Sequence, residues 1–192
     1  MSDPEPTIVA SASQTVGPFF HVGPARTDHL GRMASADTPG EAMHLRVRVV
    51  DGDGAPVDDA LVELWQADAG GTFSTPPAAG QEPPGFSGFG RLATDDDGWC
   101  TFETIRPGGE TGASGEHQAA HFNVCLFMRG LLRHLYTRIY FAGDPALESD
   151  PLLGLVPEAR RGTLLAHPCA DGTTLEFTVR LQGDGETAFF DL

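Results

Sequence analysis

From His44 to Val50 the chain reads HLRVRVV, with Leu45, Val47 and Val49 alternating against His44, Arg46 and Arg48. A period of two sends successive side chains to opposite faces, so this stretch predicts a half-buried strand, ended by the turn Asp51-Gly52-Asp53-Gly54. Ala60 to Ala67 predicts a second strand, with Val62, Leu64 and Trp65 toward a core and Glu63 away from it. Arg91 to Thr94 and Trp99 to Ile105 flank Asp95-Asp96-Asp97-Gly98 and predict a hairpin, since D-G is a strong two-strand turn signal. Phe122 to Met128 and Leu135 to Phe141 predict two more strands, separated near Gly130. Leu175 to Gln182, LEFTVRLQ, alternates again.

Between these runs the pattern breaks. Gly17-Pro18 rules out a regular helix across SQTVGPFFHVG, Ser13 to Gly23, and predicts a tethered loop held by Phe19, Phe20 and Val22. Pro24 to Glu41, rich in Gly, Asp, Thr and Ala, predicts a surface connection. Thr72 to Gly90 carries Pro76, Pro77, Pro83 and Pro84 and predicts a long loop, as does Gly108 to Ala119. Leu152 to Val156 and Glu158 to Leu165 predict short helical turns, with Pro157 as a first-turn residue. Ala188 to Leu192 is too apolar for a free tail and predicts docking on this chain or on a partner. Short strands at turn spacing, with little 3.6-residue periodicity, predict an all-β fold: one antiparallel β-sandwich domain over residues 1–192, with long loops, short helical turns and residues 1–23 as an N-terminal arm and loop.

Composition narrows the function classes. The formal charge of -15, from 12 basic against 27 acidic residues, argues against a nucleic-acid or anionic-membrane partner, because both are polyanions. Cys100, Cys125 and Cys169 lie far apart without C-x-x-C spacing, which predicts reduced thiols rather than a disulfide framework or zinc site. The first residues carry acids where a signal peptide carries bases, and no run approaches the roughly 20 apolar residues of a membrane span. The expectation is a soluble cytoplasmic protein.

Candidate chemistry concentrates in Ala120 to Phe141, AHFNVCLFMRGLLRHLYTRIYF. An H-x-H pair on a strand would put two imidazoles on one face, but here His121 is followed by Phe122 and Asn123. A lone His is more simply read as a satisfied core or interface residue. The chain's two tyrosines, Tyr136 and Tyr140, sit four apart in the same strand-like run, a structural placement. Asp95 to Asp97 lack the bidentate acid of a calcium loop and read as turn residues. No phosphate cradle and no G-x-S-x-G elbow is present.

Several pieces together resemble a known family. SQTVGPFFHVG, D-G-x-G-x-P-V with LVELWQAD, TDDDGWCTFETIRPG, H-F-N with LFMRG, TRIYF and QGDGETAFFDL are similar to segments of the intradiol ring-cleaving catechol dioxygenases. They are most like the alpha chains of members built from two homologous chains, and they span nearly the whole sequence. The resemblance implies a β-sandwich and a non-haem Fe(III) held by two tyrosinates and two histidines, donors suited to hard ferric iron. At the corresponding positions Thr72 to Gly90 contains no Tyr, Pro107-Gly108 is followed by Gly109, Glu110 and Thr111, and H-x-H has become His121-Phe122-Asn123. One ligand position of four survives. The implied reading has no catalytic residue and no metal on this chain, His121 and Asn123 being degenerate ligand positions. Fe(III) then sits on a homologous beta subunit, within a higher oligomer of alpha-beta heterodimers. This chain would line the partner's pocket with Thr15, Val16, Gly17, Pro18, Phe19 and Arg129, Arg129 making that pocket electropositive. The implied substrates are protocatechuate, a small aromatic acid, and O2, and the product is 3-carboxy-cis,cis-muconate. A self-sufficient iron dioxygenase with atypical ligands and a non-catalytic sandwich module are the alternatives.

Overall fold

A computed structural model describes residues 10–21, 23, 28–74, 85–112 and 115–191. Its strands are β1 (Ala42–Val50), β2 (Leu61–Trp65), β3 (Phe89–Ala93), β4 (Trp99–Ile105), β5 (Glu110–Thr111), β6 (His117–Gln118), β7 (His121–Phe127), β8 (Leu135–Phe141), β9 (Leu165–Pro168) and β10 (Thr174–Arg180). Helical turns are short: α1 (Pro151–Leu155), α2 (Glu158–Arg161) and 3-10 turns at Pro18–His21, Asp28–Gly31, Pro145–Ser149 and Gly162–Leu164. The all-β expectation therefore holds: β1 and β10 fall where alternation placed them, and β8 spans the expected Leu135 to Phe141.

Eight strands run in the order β3-β2-β7-β8-β9-β10-β1-β4. They form two faces joined at β9, which pairs with β10 on one side and β8 on the other. Leu45, Val47 and Val49 of β1, Phe102 of β4, Phe177 and Val179 of β10, Val62 and Leu64 of β2, Phe122, Val124 and Leu126 of β7 and Ile139 of β8 fill the space between the faces. A smaller cluster of Tyr140, Leu153, Val156, Leu164 and Ala188 lies where the helical turns cover β8.

Four expectations change. The pairing is not wholly antiparallel: β1 with β10, and β8 with β9, are parallel. Parallel neighbours need long crossovers, and residues 142–164, carrying α1 and α2, supply one between β8 and β9. β3 and β4 do not form a hairpin ladder, because β3 pairs with β2 and β4 with β1. The Asp95–Gly98 turn closes locally, with Asp95 N–H donating to Trp99 O at 2.8 Å, and then arches from one face to the other. Trp65 shares parity with Glu63, so it lies on the outer face against Phe89, ring centroids 5.1 Å apart. Glu63 also points outward but is buried there, paired with Arg91.

The fourth change concerns Pro24 to Glu41, which is more than surface connection. Met33 is 1% exposed; its N–H donates to Glu103 O at 2.9 Å, and its carbonyl accepts from Ser87 N–H at 2.9 Å. Aperiodic sequence hid this single core residue. Met33 packs where Gly90 leaves room: a Cβ at Gly90 would lie 2.8 Å from Met33 Sδ and 2.9 Å from Phe102 Cδ1. Gly90→Ala is therefore expected to lower stability by about 1–3 kcal/mol through overpacking. A urea midpoint unchanged within error would contradict that packing.

The apolar C-terminus docks on this chain. Phe190 N–H donates to Tyr136 O at 2.8 Å, and Thr137 Oγ1 donates to Ala188 O at 2.8 Å. Cys100, Cys125 and Cys169 are all free. Among the described residues, no helix is long and apolar enough to cross a membrane.

Candidate functional site

Period-two geometry sorts β7 and β8 into two faces. Phe122, Val124, Ile139 and Phe141 point into the core, leaving His121, Asn123, Arg138 and Tyr140 on the outer face. The register sets Asn123 opposite Arg138 and His121 opposite Tyr140. Arg138 Nε donates to Asn123 Oδ1 at 3.0 Å, and its Nη1 donates to Gln118 Oε1 at 2.7 Å and weakly to Tyr140 Oη at 3.4 Å. Tyr140 Oη donates to Asp150 Oδ1 at 3.0 Å; burial, foremost, pushes its pKa up to about 12.

His121 is 4% exposed, and its Nδ1–H donates to Ala119 O at 2.8 Å. The other ring nitrogen, Nε2, is buried without a hydrogen-bond partner among the described residues. Glu110 Oε1 stands 3.6 Å from it, too far for a hydrogen bond. Burial, then the neighbouring Arg138 charge, lowers the His121 pKa to about 4, so the ring is neutral at physiological pH. Burial raises the Glu110 carboxyl.

These donors do not fit the ferric ion that the resemblance implies. Fe(III) favours anionic oxygen and imidazole, whereas the Tyr140 hydroxyl keeps its proton and donates it to Asp150. The Asn123 amide oxygen is engaged by Arg138. A guanidinium beside this position opposes a second cation. Among the described residues, no group of three His, Cys, Asp or Glu is placed to hold a metal.

The other candidate residues lie at the β7–β8 turn. Gly130 N–H donates to Thr15 Oγ1 at 2.8 Å, tying the N-terminal arm to the residue after Arg129 across 115 positions of sequence. The Arg129 side chain is 65% exposed and donates from Nε to Asp59, whose own side chain is buried. That bond, foremost, holds Arg129 above its usual pKa. Its two terminal nitrogens have no partner among the described residues, so a forked pair of donors faces outward. Phe20 N–H donates to Gly17 O at 3.0 Å, opening the 3-10 turn at Pro18. Val16 is half-buried, Gly17 is exposed and Phe19 is 81% exposed, so Phe19 is not the anchor expected of it. It presents its ring to solvent, which a ring meant for another surface would do. Val22 lies outside the described residues, as do 75–84, most of the long loop after β2.

The dioxygenase family pattern matches residues 15–183. The chain belongs to the intradiol dioxygenase family. It is similar to the protocatechuate 3,4-dioxygenase alpha chain of Pseudomonas putida, with 41% identity over 93% of this chain and 94% of that one. It is also similar to the beta chain of Burkholderia cepacia, with 36% identity over 77% of this chain and 67% of that one. The dioxygenase domain of a dioxygenase carbohydrate-binding protein fusion from Streptomyces sp. SirexAA-E superimposes with a TM-score of 0.62 at 26% identity, over 96% of this chain and all of that one.

Within this family framework the structure brings Thr15 and Arg129 to one turn and sets His121 and Asn123 on a separate stretch of the same hairpin. Sequence reading missed Asp59, Arg138, Gln118 and Asp150. Only Arg138 carried a usable signal: once β7 and β8 pair about Gly130, their register puts it opposite Asn123.

Proposed function

We infer that this chain is the iron-free alpha subunit of a heteromeric, cytoplasmic intradiol dioxygenase that opens protocatechuate with O2 to give 3-carboxy-cis,cis-muconate. The observation carrying this reading is the arm-and-turn assembly at Thr15, Gly130 and Arg129, which holds an aromatic ring and an incompletely paired guanidinium at the surface. At the chain's own degenerate centre Arg138 meanwhile engages the Asn123 amide oxygen. In this reading a homologous beta subunit, in an oligomer of alpha-beta heterodimers, binds Fe(III), which as a Lewis acid lowers the pKa of the catechol hydroxyls. Arg129 binds the substrate carboxylate through its free fork of donors, fixing the ring's orientation. Asp59 holds the stem of the guanidinium and limits its rotation. Thr15 to Phe19 cover the pocket, excluding water from the aromatic face.

Coexpression with a beta chain tests the proposal. Arg129→Ala is expected to lower kcat/KM for protocatechuate by roughly 10–100-fold, the loss of one charge-assisted contact worth about 1.5–3 kcal/mol. Catechol, which lacks the carboxylate, should be affected far less. Equal losses for both substrates would assign Arg129 a structural role. Iron-dependent colour and turnover in this chain alone would replace the proposal with a self-sufficient enzyme, and failure to associate with any beta chain would favour a binding module.

A further inference from the structure

On the outer face of the β2–β7–β8 sheet lies a cavity of about 180 Å3, lined by Trp65, Asn123, Tyr136, Arg138, Leu152 and Phe190 among others. Its walls are two kinds of surface. Trp65, Leu152, Phe190 and the Tyr136 ring are flat or apolar, while Arg138 brings a permanent positive charge. The hydrogen-bonding partners of that charge, Asn123, Gln118 and Tyr140, are neutral. Asp150 reaches it through the Tyr140 hydroxyl and Glu110 acts on it through space, but among the described residues no carboxylate is within ion-pair distance. Nη2 of Arg138 has no partner there either, so two N–H donors of a half-buried cation remain for a ligand. Partly buried charges are ordinarily paired, which makes this arrangement unusual for a purely structural residue.

The geometry points to a binding site for a small aromatic monocarboxylate in this cavity, its carboxylate on Arg138 and its ring between Trp65, Leu152 and Phe190. An apolar cavity of about 150 Å3 accepts a benzene ring, so a volume of about 180 Å3 suits one ring bearing a carboxylate. The electrostatic contribution is a charge-assisted hydrogen bond to a half-buried guanidinium, stronger than its counterpart at a fully exposed arginine. The site is separate from the turn at Arg129. Asn123, opposite Arg138, is six residues from Arg129, roughly 20 Å along an extended strand. The inference requires no partner chain and no iron.

Titrating the full-length chain with sodium benzoate, in the absence of any beta chain, tests it. Nitrogen-15 spectra of the arginine Nε and tryptophan indole groups supply the readout. One saturable site is expected, with the Arg138 and Trp65 signals shifting together. Benzamide, similar in shape and uncharged, should bind about tenfold more weakly or worse. Arg138→Gln should lose binding by about tenfold or more. Leu152→Trp should abolish binding by filling the cavity while leaving the guanidinium in place. Should Arg138→Gln fail to fold, Leu152→Trp and the benzoate-to-benzamide ratio decide. Absence of saturation at millimolar benzoate, equal binding of benzamide, or shifts confined to Arg129 would each overturn the site. None of those results bears on Arg129 in the heteromer, whose kinetics are read separately.

Discussion

Replacing Asp150 with Ala is expected to lower the stability of the fold by about 4 kcal/mol, the largest loss foreseen for any single polar side chain here. Asp150 is 3% exposed and serves three elements at once. It caps α1, accepting Leu153 N–H at 2.7 Å; it accepts Ala119 N–H at 2.9 Å ahead of β7; and it accepts the Tyr140 hydroxyl at 3.0 Å from β8. A lost N-cap costs about 1 kcal/mol, and each buried donor left without an acceptor costs roughly 1–3 kcal/mol. Asp150→Asn, which keeps shape and one oxygen, should lose less, and Tyr140→Phe, which removes a single bond, about 1 kcal/mol. Chemical denaturation of the three variants checks the ranking. A loss below about 1 kcal/mol for Asp150→Ala would show that α1 and β7 find other acceptors.

The second large effect is a pH dependence centred on His121. Its folded pKa of about 4 lies below the ordinary 6.5, so between those values the unfolded chain binds the proton and the folded chain does not. Stability then rises with pH across that window: full above about 6.5, falling as the medium becomes acid, and level again below about 4. A separation of this size corresponds to roughly 3 kcal/mol as an upper figure. Glu110 works in the opposite sense, since a raised carboxyl contributes stability that is lost as pH rises through its folded pKa. Comparing the native chain with His121→Gln isolates the histidine, because Glu110, Arg138, Asp150 and Tyr140 face the position in both. Parallel stability curves for the two proteins between pH 4 and 6.5 would remove His121 as the cause.

Much of the fold was legible because alternation is a local property. Leu45, Val47 and Val49 announce a strand without knowledge of any neighbour, and Leu175 to Gln182 does the same. Pairing partners are not local. The Asp95–Gly98 turn has the same residues whether its flanking strands zip together or part, and only the competing ladders β2 and β1 decide. Met33 was invisible because one buried side chain in an aperiodic segment has no pattern to join. For the site, Arg129 and Thr15 were reached through resemblance to a family, since a hydrogen bond spanning 115 residues leaves no trace in spacing. Arg138 was read as part of a strand and nothing more; its role depends on a register that sequence alone leaves free.

One detail of the fold limits how other chains can join this one. Strands β3 and β4 end the eight-stranded order, and the segment around Met33 bridges between them, exchanging hydrogen bonds with Glu103 of β4 on one side and with Ser87 just before β3 on the other. Where that segment lies, the backbone of β4 at Glu103 and of the approach to β3 at Ser87 is already engaged and is not open to another chain's strand. Strand-on-strand addition by another chain is thereby opposed along that stretch, and the same bridge guards it against edge-to-edge aggregation.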